Sequence, residues 1–173
     1  MPRCWILLGM MGAGKSSVGR ALAELSGREF MDTDLLLQHR FGRPVHQIFE
    51  VYGEDAFRHH ETSVLKSIEP CAAVLATGGG IVGREVNWVE LKRIGLTIYL
   101  NASLETLVAR LEASKKKRPL LLTESWPERV EGLLEQRRAL YEQADLIIEV
   151  NTDDVKSIAG RVYAALQQAG EVS

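Results

Sequence analysis

The run Gly9-Met10-Met11-Gly12-Ala13-Gly14-Lys15-Ser16 has the spacing G-x-x-x-x-G-K-[ST]. Glycines at those positions let successive backbone N–H groups turn inward, toward a polyphosphate at a helix N-terminus. A lysine at position 15 is placed to reach the outer phosphates, and the Ser16 hydroxyl is a hard oxygen ligand for Mg²⁺. The run follows an apolar strand and opens a helix, which is the context that such a phosphate loop requires.

A phosphate loop does not say where the phosphoryl group goes. Asp32-Thr33-Asp34 follows the second apolar run. Residues i and i+2 at a strand end point the same way, so both carboxylates are expected on one side. One could organise Mg²⁺-bound water while the other orients or deprotonates an attacking hydroxyl. The plainer alternative is that either aspartate caps the helix that follows.

Two arginines fall on apolar stripes. Arg58, Glu61, Leu65 and Ile68 share one helical face, and Val130, Leu133, Leu134, Arg137 and Leu140 share another. An inward guanidinium needs an anion, either an internal partner such as Glu61 for Arg58 or the carboxylate of a small ligand. Gly78-Gly79-Gly80 follows the third strand candidate, where open α/β sheets receive ligands and where backbone can approach one closely.

The elements that must position these residues alternate along the chain. Strand candidates are Cys4–Leu8, Glu29–Met31, Ala72–Ala76, Leu96–Leu100 and Leu146–Val150. Between and after them, helical patterns cover Lys15–Ser26, Asp34–Phe41, Glu54–Ile68, Glu85–Arg93, Leu104–Ala113, Pro127–Gln143 and Asp154–Ala169. This order predicts an α/β fold with right-handed crossovers and a mainly parallel, doubly wound sheet. The stretch Ser114–Ser125, with Lys115, Lys116, Lys117 and Arg118, lacks a buried face and reads as a loop over a polyphosphate.

Composition narrows the classes. A chain of 173 residues with net charge −2 lacks the cationic excess that nucleic-acid or anionic-membrane binding needs. Its apolar runs are too short for a membrane span. Two cysteines, Cys4 and Cys71, are expected as free thiols in a reducing cytoplasm. His59 and His60 are adjacent on a helix and diverge by about 100°, so they do not chelate one metal.

Taken together, the motifs resemble those of the shikimate kinases over nearly the whole chain. The resemblance rests on G-M-M-G-A-G-K-S-S-V-G, D-T-D, I-F-E-V-Y-G-E-D-A-F-R-H-H-E from Ile48, T-G-G-G-I-V from Thr77, R-P-L-L from Arg118, and Arg137 with Leu140-Tyr141. It implies a three-layer P-loop fold akin to the nucleoside monophosphate kinases, with a five-stranded parallel sheet in order 2-3-1-4-5. It also implies one kinase domain, with an acceptor-binding helical region at about 33–61 and a lid at about 114–125. The implied reaction moves the γ-phosphoryl of ATP, with Mg²⁺, to the 3-hydroxyl of shikimate, in a cytoplasmic monomer. By position, Gly12, Ala13, Gly14, Lys15, Ser16 and Ser17 would hold the phosphates, with Arg118 closing from the lid. Arg110 would pack on adenine, and Asp153 would lie in the loop on its other side. Asp34, Arg58, Gly79, Gly80 and Arg137 would hold the acceptor, and Asp32 would act through Mg²⁺-bound water. A gluconate kinase of the same fold, or a silent kinase-like binding module, are the alternatives.

Overall fold

In the computed structural model, residues 3–114, 123–151 and 154–172 are described. Lys115, Lys116, Lys117, Arg118 and Asp153 lie outside these ranges. Among the described residues, five strands form one parallel sheet: β1 (Cys4–Leu8), β2 (Glu29–Asp32), β3 (Ala73–Ala76), β4 (Gly95–Asn101) and β5 (Leu146–Glu149). Their order is β2-β3-β1-β4-β5, as the resemblance implied. The registers are parallel throughout, with Trp5 opposite Val74 on one side and Leu96 on the other.

Burial explains the strand sequences. β1, β3 and nearly all of β4 are buried on both faces, which is why Cys-Trp-Ile-Leu-Leu and Ala-Val-Leu-Ala carry no polar alternation. The edge strand β5 alternates between half-buried and exposed, and Ile147 is 48% exposed. Helices cover the sheet: α1 (Lys15–Ser26), α2 (Thr33–Phe41), α3 (Val45–Ser67), α4 (Glu85–Ile94), α5 (Leu104–Ala113), α6 (Trp126–Tyr141) and α7 (Val155–Gln168). α1 packs on α7 and β3, whereas α4 packs on β4 and α3. Right-handed crossovers send the chain leaving β1 toward β2, and the chain leaving β3 toward β4, to opposite faces. A crevice opens at the carboxyl ends of those two neighbouring strands.

One helical segment was not indicated by periodicity. α3 begins at Val45, after Pro44, and runs to Gly53, where φ 79° and ψ 172° break it before the Glu54–Ser67 part. Val45–Tyr52 has only Ile48 fully buried, so its sequence shows no sustained stripe. Glycine at 53 lets the axis turn there without a Cβ in the left-handed region. The thiols of Cys4 and Cys71 are free, with sulfurs 3.7 Å apart. No helix among the described residues is long and apolar enough to cross a membrane.

Two glycines give a direct test of the packing. A Cβ on Gly95 would overlap the backbone of Cys4, whereas one on Gly160, exposed on α7, would meet nothing within 4 Å. Gly95→Ala should therefore lose about 1–3 kcal/mol or more, because a strand backbone has nowhere to yield. Gly160→Ala should gain about 0.5–1 kcal/mol from helix propensity. Urea unfolding checks both, and equal effects would contradict this strand packing.

Candidate active site

The loop between β1 and α1 wraps as its glycines predict. Gly12 and Gly14 have φ 84° and 93°, in the region where a side chain is strained, and Gly14 leads directly into α1. The Lys15 ammonium donates to the carbonyls of Gly9 at 2.7 Å and Met10 at 2.9 Å, so it lies back across its own loop. Its side chain is almost fully buried. A buried ammonium needs such acceptors, and anionic phosphate oxygens are stronger partners than carbonyls. Arg110 braces the other side of the loop. Its guanidinium donates to the carbonyls of Ala13 at 2.9 Å and Val150 at 3.0 Å, tying the phosphate loop to the end of β5.

The strand period does not set the directions of Asp32 and Asp34. β2 ends at Asp32, and the chain turns there into α2, so the two-residue strand period does not extend to Asp34. Asp32 takes the capping role and uses both carboxylate oxygens. Its Oδ1 caps α2 by accepting from the N–H groups of Asp34 at 2.9 Å and Leu35 at 3.4 Å. Its Oδ2 accepts from the Ser16 hydroxyl at 2.7 Å, which places two hard oxygens together beside the phosphate loop. That pair suits Mg²⁺, which prefers oxygen ligands and retains water. Asp34 faces elsewhere: its Oδ1 would lie 3.2 Å from a Cβ on Gly78, and Glu61 Oε1 would lie 2.9 Å from it.

The glycine run after β3 holds the two halves of the site together. Thr77 Oγ1 donates to the Leu7 carbonyl at 2.8 Å, and the Gly78 N–H donates to Thr33 Oγ1 at 3.1 Å. Gly79 lies against the phosphate loop, where a Cβ would come within 3.2 Å of the Met11 nitrogen. A Cβ on Gly80 would collide with the Arg58 guanidinium, so only glycine lets that cation seat on the loop.

The internal ion pair anticipated for Arg58 exists. Arg58 Nη1 lies 2.6 Å from Glu61 Oε2, and the Glu61 side chain is 1% exposed. Burial pushes the Glu61 carboxyl above its ordinary value, an effect that Arg58 opposes without cancelling. Arg137, half-buried on α6, also acts electrostatically on Glu61 and stands one helical turn before Tyr141. The two guanidiniums thus converge, although one comes from α3 and the other from α6. Glu54 Oε1 also lies 3.8 Å from Arg58 Nη2, and Asp34 acts on Glu61, so acidic groups already face these arginines.

The motifs included Thr33 and Tyr141 without giving either a role, and Arg84 lay outside them. Thr33 and Tyr141 are fully buried, and Arg84 donates to the Arg58 carbonyl at 3.2 Å and to Thr62 Oγ1 at 3.0 Å. The inward face of Tyr141 was legible, because it stands one helical turn after Arg137 on the same stripe. The Arg84 contact had no local signal.

Known proteins resemble this chain in sequence and in fold. The family model for shikimate kinase matches residues 11–167. The shikimate kinase of Synechococcus sp. (strain RCC307) is 41% identical over 161 residues, covering 92% of this chain and 82% of that protein. That of Vibrio parahaemolyticus serotype O3:K6 is 38% identical over 164 residues, with 94% and 95% covered. The solved shikimate kinase from Acinetobacter baumannii in complex with shikimate superposes with a TM-score of 0.92 at 37% identity, covering 98% and 95% of the two chains. A gluconokinase from Sinorhizobium meliloti 1021 superposes with a TM-score of 0.65 at 20% identity, a likeness of fold alone. With its own phosphate loop, paired arginines and glycine run in that setting, the chain belongs to the shikimate kinase family.

Proposed function

We propose that this chain transfers the γ-phosphoryl group of ATP to the 3-hydroxyl of shikimate. The observation that carries the reading is Arg58 seated on Gly80, one residue from the Gly79 contact with the phosphate loop. A carboxylate held by Arg58 and Arg137 would present its ring hydroxyls to Asp34 and toward the nucleotide. The acceptor oxygen then forms a bond to the γ-phosphorus, the bond to the β,γ-bridging oxygen breaks with ADP as the leaving group, and the hydroxyl proton is released to solvent. Asp34 orients that hydroxyl. A largely dissociative transition state needs little help from a base, so orientation is the larger part of its task.

On the nucleotide side, the backbone from Gly12 to Ser17 cradles the phosphates and Lys15 turns from its loop carbonyls to them. The Arg110 guanidinium, held at its edge by three carbonyls including Gly12 at 3.4 Å, offers its face to the adenine. Ser16 would hold Mg²⁺ directly and Asp32 through metal-bound water. The ion, when bound, neutralises charge on the β- and γ-oxygens.

A coupled assay for ADP tests the reading, using shikimate, gluconate and no acceptor. ADP release that depends on shikimate is expected, and release of equal size with gluconate would overturn it. The Mg²⁺ assignment has its own test. Asn caps a helix about as well as Asp, so Asp32→Asn should keep the α2 cap and melt near the wild type. It should also raise the Mg²⁺ concentration for half-maximal rate by about 10–100-fold, as loss of an outer-sphere partner does. An unchanged Mg²⁺ requirement would remove Asp32 from the metal site.

A further inference from the structure

The Tyr141 hydroxyl lies fully buried where an apolar ring would fill the same space, and a buried hydroxyl persists only when its bonds are made. Its ring stacks on Tyr99 at 5.0 Å between centroids, with the planes 14° apart. Its oxygen bridges two loops. It donates to the Gly79 carbonyl and lies 3.6 Å from Met10 Sδ in the phosphate loop, while Arg137 stands one helical turn earlier on the same face of α6.

One hydroxyl has one proton. A carbonyl accepts far better than a thioether, so the proton points to Gly79 and the sulfur is a packing neighbour. The oxygen lone pairs are then open to an Arg137 N–H. A bond from Arg137 would complete a chain from its guanidinium to the Tyr141 oxygen, and from the Tyr141 proton to the Gly79 carbonyl.

We propose that Tyr141 is a positioning residue for acceptor binding, locking the Arg137 fork to the glycine loop on which Arg58 is seated. Two properties of the groups make such a lock necessary. Arginine carries a large rotamer entropy, which a second fixed partner removes before the ligand arrives. Gly79 stands between two glycines, so no side chain of the loop itself restrains its carbonyl. Burial also pushes the phenol up to about 12, so the donor keeps its proton throughout the neutral range. Preorganisation of this kind lowers the cost of binding a carboxylate and leaves the nucleotide contacts unaffected.

This rests on the reading of the site as one that binds shikimate, so the wild-type protein is assayed first. If it releases no ADP with shikimate, that reading falls. If it does, Tyr141→Phe keeps the ring and the stack while removing only the hydroxyl. Its KM for shikimate should rise about five- to tenfold, the effect of one lost hydrogen bond, while KM for ATP stays within about twofold. An unchanged shikimate KM, or a parallel rise in both KM values with a lowered Tm, would overturn the positioning role while leaving the activity intact. A double-mutant cycle supplies the second measurement. Arg137→Lys already lacks the planar fork, so adding Tyr141→Phe to it should raise KM for shikimate less than about twofold. Full additivity of the two substitutions would show that the hydroxyl does not act through Arg137.

Discussion

Lys15→Ala is expected to lower kcat/KM by about 10²–10³-fold, equivalent to about 2.7–4 kcal/mol, if it resembles removal of other single charge-stabilising contacts. The ammonium is held beside the glycines that would receive the phosphates, bonded to the Gly9 and Met10 carbonyls. Its loss removes two bonds within one loop and none between elements, so the fold should survive with a modest change in Tm. Lys15→Arg should not restore the rate. A guanidinium keeps the charge but replaces a compact point donor by a planar fork, which cannot settle between the same two carbonyls. Steady-state kinetics with thermal melts check both variants, and activity of Lys15→Ala within about tenfold of wild type would contradict the assignment.

Arg58→Ala should raise KM for shikimate by about 10–100-fold, corresponding to the 1.5–3 kcal/mol of a hydrogen bond to a charged group. The same substitution strands Glu61, whose side chain is 1% exposed, without its partner at 2.6 Å. Breaking a buried pair from one side costs about 3–5 kcal/mol of stability. The pH dependence of that cost follows from burial, which already holds the Glu61 carboxyl above its ordinary 4.5 with Arg58 present. A carboxyl raised in the folded state favours folding below its unfolded value and loses that contribution as pH rises through its folded one. The stability deficit of Arg58→Ala should therefore be smallest near pH 4.5 and grow toward neutrality.

Adding Glu61→Gln to Arg58→Ala separates binding from folding. The double variant carries no stranded charge, so its Tm should recover while its weak acceptor binding remains. Arg137→Lys should also bind shikimate poorly, because a point charge does not reproduce a bidentate fork. An unchanged shikimate KM in both Arg58→Ala and Arg137→Lys would sink the clamp, whatever happens to stability.

Local chemistry was legible in the chain. The phosphate loop is a set of neighbours in sequence, and its glycine positions specify backbone geometry without help from other elements. The buried strands declared themselves because a strand covered on both faces has no place for polar alternation. α1 and α5 have the bounds their periodicity indicated, Lys15–Ser26 and Leu104–Ala113, since an amphipathic stripe is a local pattern. The Val45–Tyr52 part of α3 escaped for the converse reason: with only Ile48 fully buried, its helix is held by its neighbours and has little pattern of its own.

What the sequence by itself determined is therefore the phosphate loop, the alternation of strands and helices, and two arginines that required anions. Tertiary structure decided what those groups face. Asp32 and Asp34 are two residues apart, yet the turn from β2 into α2 sends one to Ser16 and the other toward Gly78. Arg58 and Arg137 are far apart in sequence, and only the tertiary placement of α3 and α6 lets both act on Glu61. The physical reason is range. Backbone geometry and helical periodicity act over a few residues, whereas the direction of a side chain across a crevice depends on crossovers that join distant strands.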